Sequence, residues 1–311
     1  MSEVKDVVMV GAGPSALAAA VYTTREDIDT TLYEKATIGG LAAITDLVDN
    51  YPGFAEGIGG MQLASQLQAQ AERFGAHIDF GDISGIKRDG DEIELIVDGE
   101  PVRARAVLIA TGSDYKKLGI PGEAEFYGRG VHYCATCDGA FYREKRLVVV
   151  GGGNSAVQEA IFLTRFTTHI DLLVRSTLKA SEVLQHELQK FVDEGKITVH
   201  YGVTPSEIVT EDKKVVRVTA TKDGSEVSYD TDGVFVFIGL MPNTQFLAGS
   251  GVELDKVGLI KTDLKLATTV PGIFASGDVR SGATMQIASA VGEGATAALS
   301  IREYLEDLDR A

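Results

Sequence analysis

The hydrophobic positions of the chain fall into short apolar runs that end at glycines and lead into longer stretches of mixed character. The run at 6–10 (DVVMV) is followed by GAGPSA, and a similar run at 147–150 is followed by GGGNSA. Short apolar runs bounded by glycines are typical of buried parallel strands. Closing strands are expected at 106–113, 233–244 and 272–280, β-meanders at EIELIV and KVVRVTA, and helices at 61–74, 181–194 and 284–305.

The first glycine-rich stretch has the pattern GxGxxA between a predicted strand and a predicted helix. Gly11 permits the tight turn, Gly13 lets a pyrophosphate approach the backbone, and Ala16 allows the helix to pack closely on the strand. Glu34 ends the next apolar run, TTLYE, at the distance from Gly13 that is typical of the acidic residue of such sites. A carboxylate at that place accepts hydrogen bonds from ribose hydroxyls, so the sequence predicts a dinucleotide site here.

The same pattern returns in the middle of the chain, where Gly151 takes the place of Gly11. Gly153 and Ala156 repeat the roles of Gly13 and Ala16, which predicts a second nucleotide-binding fold inserted after the first. The interval from Gly13 to Glu34, counted again from Gly153, ends at Val174, so the second fold lacks the acidic residue.

Composition narrows the class of protein. The chain has 311 residues and a net charge of −16, which disfavours nucleic acid and anionic membranes as partners. The uncharged run at 7–24 contains Gly11, Gly13 and Pro14, so it is interpreted as strand, turn and helix rather than as a membrane span or signal peptide. The expected compartment is the cytoplasm.

The chain has only two cysteines, Cys134 and Cys137, in the stretch HYCATCDGAF. A close pair in a reducing compartment is more often catalytic or metal-binding than structural. Three interpretations are open at this point: a redox-active disulfide, half of a zinc site, or two inert core residues. Zinc needs four ligands, and only His132 lies nearby, so no metal is expected.

The motifs and their order resemble the low-molecular-weight thioredoxin reductase family over essentially the whole chain. The matching stretches are GAGPSALAAAVY, GGLAAITDLVDNYPGF, ATGS, YCATCDGAF, VVVGGGNSAVQEA, FVFIGLMPNT and GIFASGDVR. The resemblance implies an α/β fold class with two Rossmann-like dinucleotide-binding domains and β-meanders, the second domain inserted into the first. An FAD domain would comprise 1–116 and 246–311, and a pyridine-nucleotide domain with the CxxC pair would comprise 117–245.

The resemblance also implies which residues hold FAD. Asn50 would lie near the flavin, Asp278 would bind the ribityl chain, and Gln286 would approach the isoalloxazine. Leu41 and Met285 depart from the family, which commonly has glutamine and arginine there. The whole set of FAD-binding residues would be Gly11, Gly13, Pro14, Ser15, Ala16, Glu34, Gly40, Asn50, Ala110, Thr111, Gly112, Gly277, Asp278 and Gln286.

The roles of the cysteines follow from the same resemblance. Cys137 would meet the flavin, Cys134 would attack the partner's disulfide, and Asp138 would act as the acid–base group. The implied activity is that of a flavin-dependent disulfide oxidoreductase. It passes two electrons through FAD to the Cys134/Cys137 disulfide and on to thioredoxin or a similar small dithiol protein. A homodimer is implied as well.

The second nucleotide site departs from the family pattern. The family has two adjacent arginines that bind the 2′-phosphate of NADPH, whereas this chain keeps Arg175 and Lys179 beside Val174 and Ser176. The residues implied for NADPH or NADH are Gly151, Gly153, Asn154, Ser155, Ala156, Arg175 and Lys179. The electron donor stays open between a nicotinamide and another carrier such as ferredoxin.

Two other functions compete with the reductase. A dithiol oxidase would run electrons from a small dithiol through FAD to oxygen on the same scaffold. A flavin-binding regulatory protein would not turn over at all, and the CxxC pair followed by Asp138 argues against it. Hydrogen peroxide production from a dithiol without NADPH separates the oxidase from the reductase.

Overall fold

The computed structural model describes residues 4–45, Val48 and 50–310, without the side chains of Thr136 and Cys137. The chain forms two compact units. Unit 1 comprises Met1–Asp114 and Met241–Ala311, and unit 2 comprises Tyr115–Leu240. Unit 2 is therefore an insertion in unit 1. The predicted domain boundaries, 116/117 and 245/246, lie two and five residues further along the chain than the boundaries between these units.

The sheet of unit 1 has a parallel half and an antiparallel half. Its strands are β1 Lys5–Val10, β2 Thr30–Glu34, β3 His77–Phe80, β4 Ile83–Asp89, β5 Glu92–Val97, β6 Glu100–Ile109 and β17 Ile273–Ala275. The strand order is β3-β2-β1-β6-β5-β4, and β17 pairs in parallel with β6. Strands β1, β2, β3 and β6 pair in parallel, while β4, β5 and β6 form an antiparallel meander.

Small residues let the helices of unit 1 pack closely. The helices are α1 Pro14–Thr24, α2 Gly40–Ala43, α3 Gly60–Arg73 and α7 Ile287–Arg310, with 3₁₀ turns at Gln245–Leu247 and Gly277–Val279. Ala16 and Ala19 of α1 are fully buried. Helix α7 passes so near that a Cβ on Gly294 would lie 2.1 Å from the carbonyl oxygen of Ser15. A larger residue at 294 would therefore separate α7 from α1.

Unit 2 has a five-stranded parallel sheet with its own antiparallel meander. The sheet strands are β8 Val131–His132, β9 Arg146–Val150, β10 His169–Val174, β11 Ile197–Tyr201 and β15 Gly233–Val236. The meander strands are β12 Val203–Glu211, β13 Lys214–Lys222 and β14 Ser225–Asp230. The sheet order is β11-β10-β9-β15-β8, and the meander order is β12-β13-β14. The helices are α4 Ala135–Asp138, α5 Asn154–Leu163 and α6 Glu182–Asp193, with a 3₁₀ turn at Gly139–Tyr142.

Two short strands, β7 Ser113–Tyr115 and β16 Leu240–Pro242, pair where the chain passes from one unit to the other. The predicted α/β fold class with two Rossmann-like folds and meanders is confirmed. No helix within the described ranges is long and apolar enough to cross a lipid bilayer.

The last helix differs from its predicted bounds of 284–305. It begins at Ile287, because Met285 has a left-handed φ of 56° that a helix does not accommodate. It continues to Arg310, beyond the last apolar position. Ion pairs of Glu306 with Arg302 and Arg310, one turn to either side, support this polar end.

The first glycine of each nucleotide fold makes the same backbone hydrogen bond. The amide of Gly11 donates to the carbonyl of Tyr33 at 2.8 Å, and the amide of Gly151 donates to that of Leu173 at 3.0 Å. The interval between the two donors equals the interval between the two acceptors. Strand β2 therefore matches β10 residue for residue, and Glu34 corresponds to Val174.

Candidate active site

The first glycine-rich loop forms a narrow cradle at the end of β1. Gly11 has φ +96°, and a Cβ there would lie 2.8 Å from the carbonyl oxygen of Ala110. Gly13 is the N-cap of α1, Pro14 occupies its first turn, and no side chain caps the helix. The first amides of α1 are therefore available to a phosphate, which the helix dipole also favours.

Glu34 is fixed against this loop by both carboxylate oxygens. Its Oε2 accepts the amide of Ala12 at 2.8 Å, and its Oε1 accepts the amide of Ala36 at 2.8 Å. Each carboxylate oxygen can accept more than one hydrogen bond, so the group can still bind ribose hydroxyls. The spacing in the sequence predicted Glu34 at this place, and the structure shows the two backbone amides that orient its carboxylate.

The third element of the cradle comes from the far end of the chain. The hydroxyl of Ser15, at the start of α1, lies 2.6 Å from that of Ser276. The amide of Gly277 donates to Glu293 of α7 at 2.8 Å, and Glu293 also pairs with Arg280. Ser276 lies in the stretch GIFASGDVR but was not singled out as a site residue, and Glu293 belongs to no motif found in the sequence.

Asp278 is a half-buried carboxylate beside this turn. Burial raises its pKa above the ordinary range, and the charge of Glu293 raises it further. The hydroxyl of Ser113 donates to the backbone carbonyl of Asp278 at 3.1 Å, which fixes the turn to the start of β7. A carboxylate that is partly removed from water is stabilised by hydrogen-bond donors, so Asp278 can accept hydrogen bonds from the hydroxyls of a ligand.

The stretch Ala110–Gly112 lies beside Gly11. It is hydrogen-bonded to the segment in which the chain returns from unit 2 to unit 1. The hydroxyl of Thr111 donates to the carbonyl of Asn243 at 2.7 Å, and the Asn243 amide donates back to the Thr111 carbonyl at 3.1 Å. Asn243 was also not singled out from the sequence. The reciprocal pair holds the backbone of 110–112 in place.

Two residues expected near the flavin contact each other although they are far apart in the sequence. The side-chain amide of Asn50 donates to Gln286 Oε1 at 2.9 Å, and the Gln286 amide donates to the carbonyl of Met285 at 2.8 Å. Gly40, also expected at this site, has φ +55° and begins α2. These contacts bring both predicted amides to one place in unit 1.

Together these features fit FAD. The cradle at Gly11, the uncapped start of α1 and the oriented carboxylate of Glu34 match a pyrophosphate and a ribose. Asp278, Asn50 and Gln286 are the polar groups that would hold the rest of the cofactor. When bound, FAD supplies two-electron redox chemistry that no side chain of the protein provides.

The second glycine-rich loop repeats the cradle without the carboxylate. A Cβ on Gly151 would lie 2.3 Å from the carbonyl oxygen of Phe237, and Gly153 is the N-cap of α5. Asn154 Oδ1 accepts the amide of Ser181 at 2.8 Å, which ties the start of α5 to the loop after β10. Ser155 follows as an exposed residue, and Ala156 is fully buried.

Val174 takes the place that Glu34 has in the first fold. It is buried, and its Cγ1 would lie 2.8 Å from a Cβ on Gly152, the counterpart of Ala12. Arg175 and Lys179 are exposed, and the described residues include no ion pair with either. Among the described residues, the site therefore offers two cations without an ion pair, and it has no acid at the place that corresponds to Glu34.

The CxxC stretch follows β8 at the edge of the parallel sheet of unit 2. Cys134 is half-buried and disulfide-bonded. Cys137 is the only other cysteine of the sequence, and its side chain lies outside the described residues. The amide of Asp138 donates to the carbonyl of Cys134 at 3.3 Å, which closes the single turn of α4.

Asp138 is half-buried and has a histidine beside it. Its Oδ2 lies 2.9 Å from Nδ1 of His132, a residue that is only 4% exposed. A carboxyl group at this place can exchange a proton with a neighbouring sulfur. The sequence drew attention to His132 only as a metal ligand, whereas the structure places it against the predicted acid.

Comparisons with known proteins agree with this arrangement. Residues 5–294 match the family described as pyridine nucleotide-disulphide oxidoreductase. The chain is 43% identical to the thioredoxin reductase of Bacillus subtilis, over 99% of this chain and 98% of that protein. It is 42% identical to the thioredoxin reductase of Listeria innocua, over 99% of this chain and 96% of that protein.

Solved structures show the same likeness. The thioredoxin reductase of Lactococcus lactis superimposes with a TM-score of 0.85 at 38% identity, over 97% of this chain and 99% of that one. The thioredoxin reductase of T. acidophilum superimposes with a TM-score of 0.82 at 38% identity, over 97% of this chain and 98% of that one. The chain is a flavin-dependent disulfide oxidoreductase, and it belongs to the low-molecular-weight thioredoxin reductases within the pyridine nucleotide-disulphide oxidoreductase family.

Proposed function

We propose that this enzyme reduces the disulfide of thioredoxin or of a similar small dithiol protein. The observation that supports this most is the disulfide-bonded Cys134 beside Asp138, in a chain that is 43% identical to a thioredoxin reductase along its length. A disulfide accepts two electrons, which is the number that a two-electron flavin delivers. The reduced pair can then exchange with a disulfide on a partner.

The exchange step assigns a role to each of the three residues. The Cys134 thiolate attacks one sulfur of the partner's disulfide, so a mixed disulfide forms and the partner's second sulfur leaves as a thiolate. Asp138 protonates a leaving thiolate or accepts a thiol proton. Cys137 then attacks Cys134, which releases the reduced partner and restores the enzyme disulfide. Cys137 is also the sulfur that we assign to the flavin.

We assign FAD to unit 1 and the pyridine nucleotide to unit 2. The FAD contacts would be those of the first glycine-rich loop, Glu34, Asp278, Asn50 and Gln286. The nicotinamide contacts would be Gly151, Gly153, the first turn of α5, Arg175 and Lys179. A homodimer in the cytoplasm remains our expectation for the assembly and its place in the cell.

The electron donor is the least constrained part of the proposal. Arg175 and Lys179 are free to bind the 2′-phosphate of NADPH, but a lysine does not provide the bidentate fork of an arginine. Val174 offers nothing to the ribose hydroxyls of NADH. A donor such as ferredoxin would not need this site at all.

The two cysteine variants test the proposal. Purified wild type should carry about one FAD per chain, as the single cradle in unit 1 requires. Cys134→Ser should leave Cys137 as a thiolate beside the flavin, with a long-wavelength charge-transfer band, while Cys137→Ser should not show that band. Each variant serves as the matched control of the other, and both should lose turnover because exchange needs two thiols.

Three results would contradict the proposal. A colourless protein that cannot be reconstituted with FAD removes the flavin assignment. A charge-transfer band in Cys137→Ser alone inverts the roles of the two sulfurs. Hydrogen peroxide formed from a dithiol in air, with no reduction of thioredoxin by any donor, makes the enzyme a dithiol oxidase.

A further inference from the structure

A buried pair of side chains, His132 and Tyr142, lies next to the predicted acid Asp138. His132 Nε2 lies 2.7 Å from the hydroxyl of Tyr142, and His132 Nδ1 lies 2.9 Å from Asp138 Oδ2. The imidazole is 4% exposed and Tyr142 is 7% exposed. Neither residue has a part in the exchange chemistry described above.

We propose that Tyr142 and His132 form a proton relay that recharges Asp138 during turnover. The relay rests on the proposed function, because it serves the acid–base role given to Asp138. His132 and Tyr142 are positioning residues in this account, since they act on the reaction through Asp138.

The reduction of a disulfide requires a supply of protons. Reducing one disulfide to two thiols consumes two electrons and two protons. A hydride donor brings both electrons and one proton, so the second proton comes from water. With one-electron donors, both protons come from water. Each time Asp138 gives its proton to a sulfur, that proton must be replaced.

The geometry suits a relay across one imidazole. A proton passes from His132 Nδ1 to the Asp138 carboxylate, His132 Nε2 takes the proton of the Tyr142 hydroxyl, and the Tyr142 oxygen takes a proton from water. The ring is neutral before and after, with its proton moved from Nδ1 to Nε2, and it returns to the first tautomer when Asp138 accepts a thiol proton and the transfers run in reverse. Within the described part of the chain, Nδ1 has no aligned hydrogen bond, although Asp138 Oδ2 is at hydrogen-bond distance.

The surroundings hold the two rings in position. The imidazole stacks on the ring of Phe235 at 5.1 Å between centroids, and Tyr142 meets the same ring edge-on at 5.6 Å. Tyr142 also lies against Gly233, where an added Cβ would be 2.8 Å from its hydroxyl. Only glycine at 233 leaves room for the hydroxyl here.

The outer end of the relay approaches the surface at Asp232. Burial raises the pKa of Tyr142 to about 12, and the charges of Asp138 and Asp232 also raise it. Asp232 is exposed, and the ammonium of Lys145 lies 5.7 Å from the centre of the Tyr142 ring. Tyr142 thus lies within the field of both carboxylates and stays protonated at neutral pH, so it passes its proton to His132 only as its oxygen takes another from water.

Tyr142→Phe and His132→Gln test the relay. Tyr142→Phe keeps the ring and its packing, whereas His132→Gln keeps an uncharged polar side chain but loses the stacking on Phe235. Neither replacement side chain can pass a proton. At saturating donor and disulfide substrate, kcat should fall roughly 3- to 30-fold at pH 9 and less at pH 6, below the 10²- to 10⁴-fold contribution of a whole acid–base group. The solvent deuterium isotope effect on kcat should increase. Tyr229→Phe is the matched control, because that ring also packs on a histidine, His200, at 4.7 Å.

The outcomes separate the relay from the proposed function. FAD content and melting temperature are measured first, and if one variant does not fold, the other carries the test. Variants that keep the wild-type pH profile and isotope effect overturn the relay, as does a loss of kcat that is equal at every pH. A wild type that reduces no disulfide with any donor overturns the proposed function instead.

Discussion

Asp278 is a residue whose charged side chain lowers the stability of the fold but is expected to bind the cofactor. The structure half-buries its carboxyl group near Glu293, and both the burial and the like charge raise its pKa. A raised pKa means that the folded state binds the proton more tightly than the unfolded state. The charged form therefore costs stability at neutral pH, and this cost disappears as the pH falls through the folded pKa. Such a residue is explained by a ligand rather than by the fold.

Asp278→Asn should therefore have opposite effects on the fold and on the cofactor. The flavin-free variant should melt above flavin-free wild type at pH 7, and the gap should close as the pH approaches 4. FAD should bind roughly 10- to 150-fold more weakly, because a hydrogen bond to a charged group contributes about 1.5–3 kcal/mol. Calorimetry and fluorescence titration measure the two effects.

Asp91→Asn is the control, since this carboxylate belongs to the same unit and is exposed. It should change neither property. Unaltered FAD affinity in Asp278→Asn would remove this residue from the FAD site. A lower melting temperature at pH 7 would contradict the cost of burial.

At the scale of elements, the two βαβ folds show what a sequence can and cannot predict. Spacing alone paired Glu34 with Val174, because β-strand register and glycine turns repeat at a fixed offset. Spacing could not predict that Asn50 would meet Gln286, 236 residues away. Such contacts depend on how separate elements pack, and neither residue has a periodic neighbour that signals the other.

The same reasoning applies to the acid–base group. The sequence indicated Asp138 through a resemblance, but only the fold places His132 between it and Tyr142. The three residues lie on β8, the short helix α4 and the turn that follows. The path therefore depends on a bend of the chain that no hydrophobic pattern predicts.

The loop after β10 gives a prediction about donor choice. Wild type should use NADPH poorly and discriminate little against NADH. Val174 is buried and is best left unchanged, whereas Ser176 is exposed and can accept a second arginine. Ser176→Arg should lower the KM for NADPH roughly 10- to 150-fold and leave that for NADH unaltered, as one charged hydrogen bond contributes about 1.5–3 kcal/mol.

Thr177→Arg is the matched control, because it adds the same charge at the next exposed position. It should help less, since it stands one residue further along the chain from Arg175. An equal gain with NADH would mean that the new charge does not bind a 2′-phosphate. A micromolar KM for NADPH with strong preference in wild type would show that Arg175 and Lys179 suffice.

At the scale of the whole molecule, each unit has its own hydrophobic cores. The clusters around Val7 and Val8 belong to unit 1, and those around Leu147 and Val148 belong to unit 2. Neither pair of clusters includes residues of the other unit. Each unit therefore has its own hydrophobic cores, and we propose that electrons received by FAD in unit 1 pass to the disulfide in unit 2.

The most direct test of that transfer counts electrons. Anaerobic titration with dithionite, followed at the flavin absorption band, needs no assumption about the natural donor. Wild type should take up about four electrons per chain before the flavin is fully reduced, about two for FAD and about two for the disulfide, while Cys134→Ser should take up about two. Wild type that takes up only about two electrons, as the variant does, would contradict a redox-active disulfide coupled to the flavin.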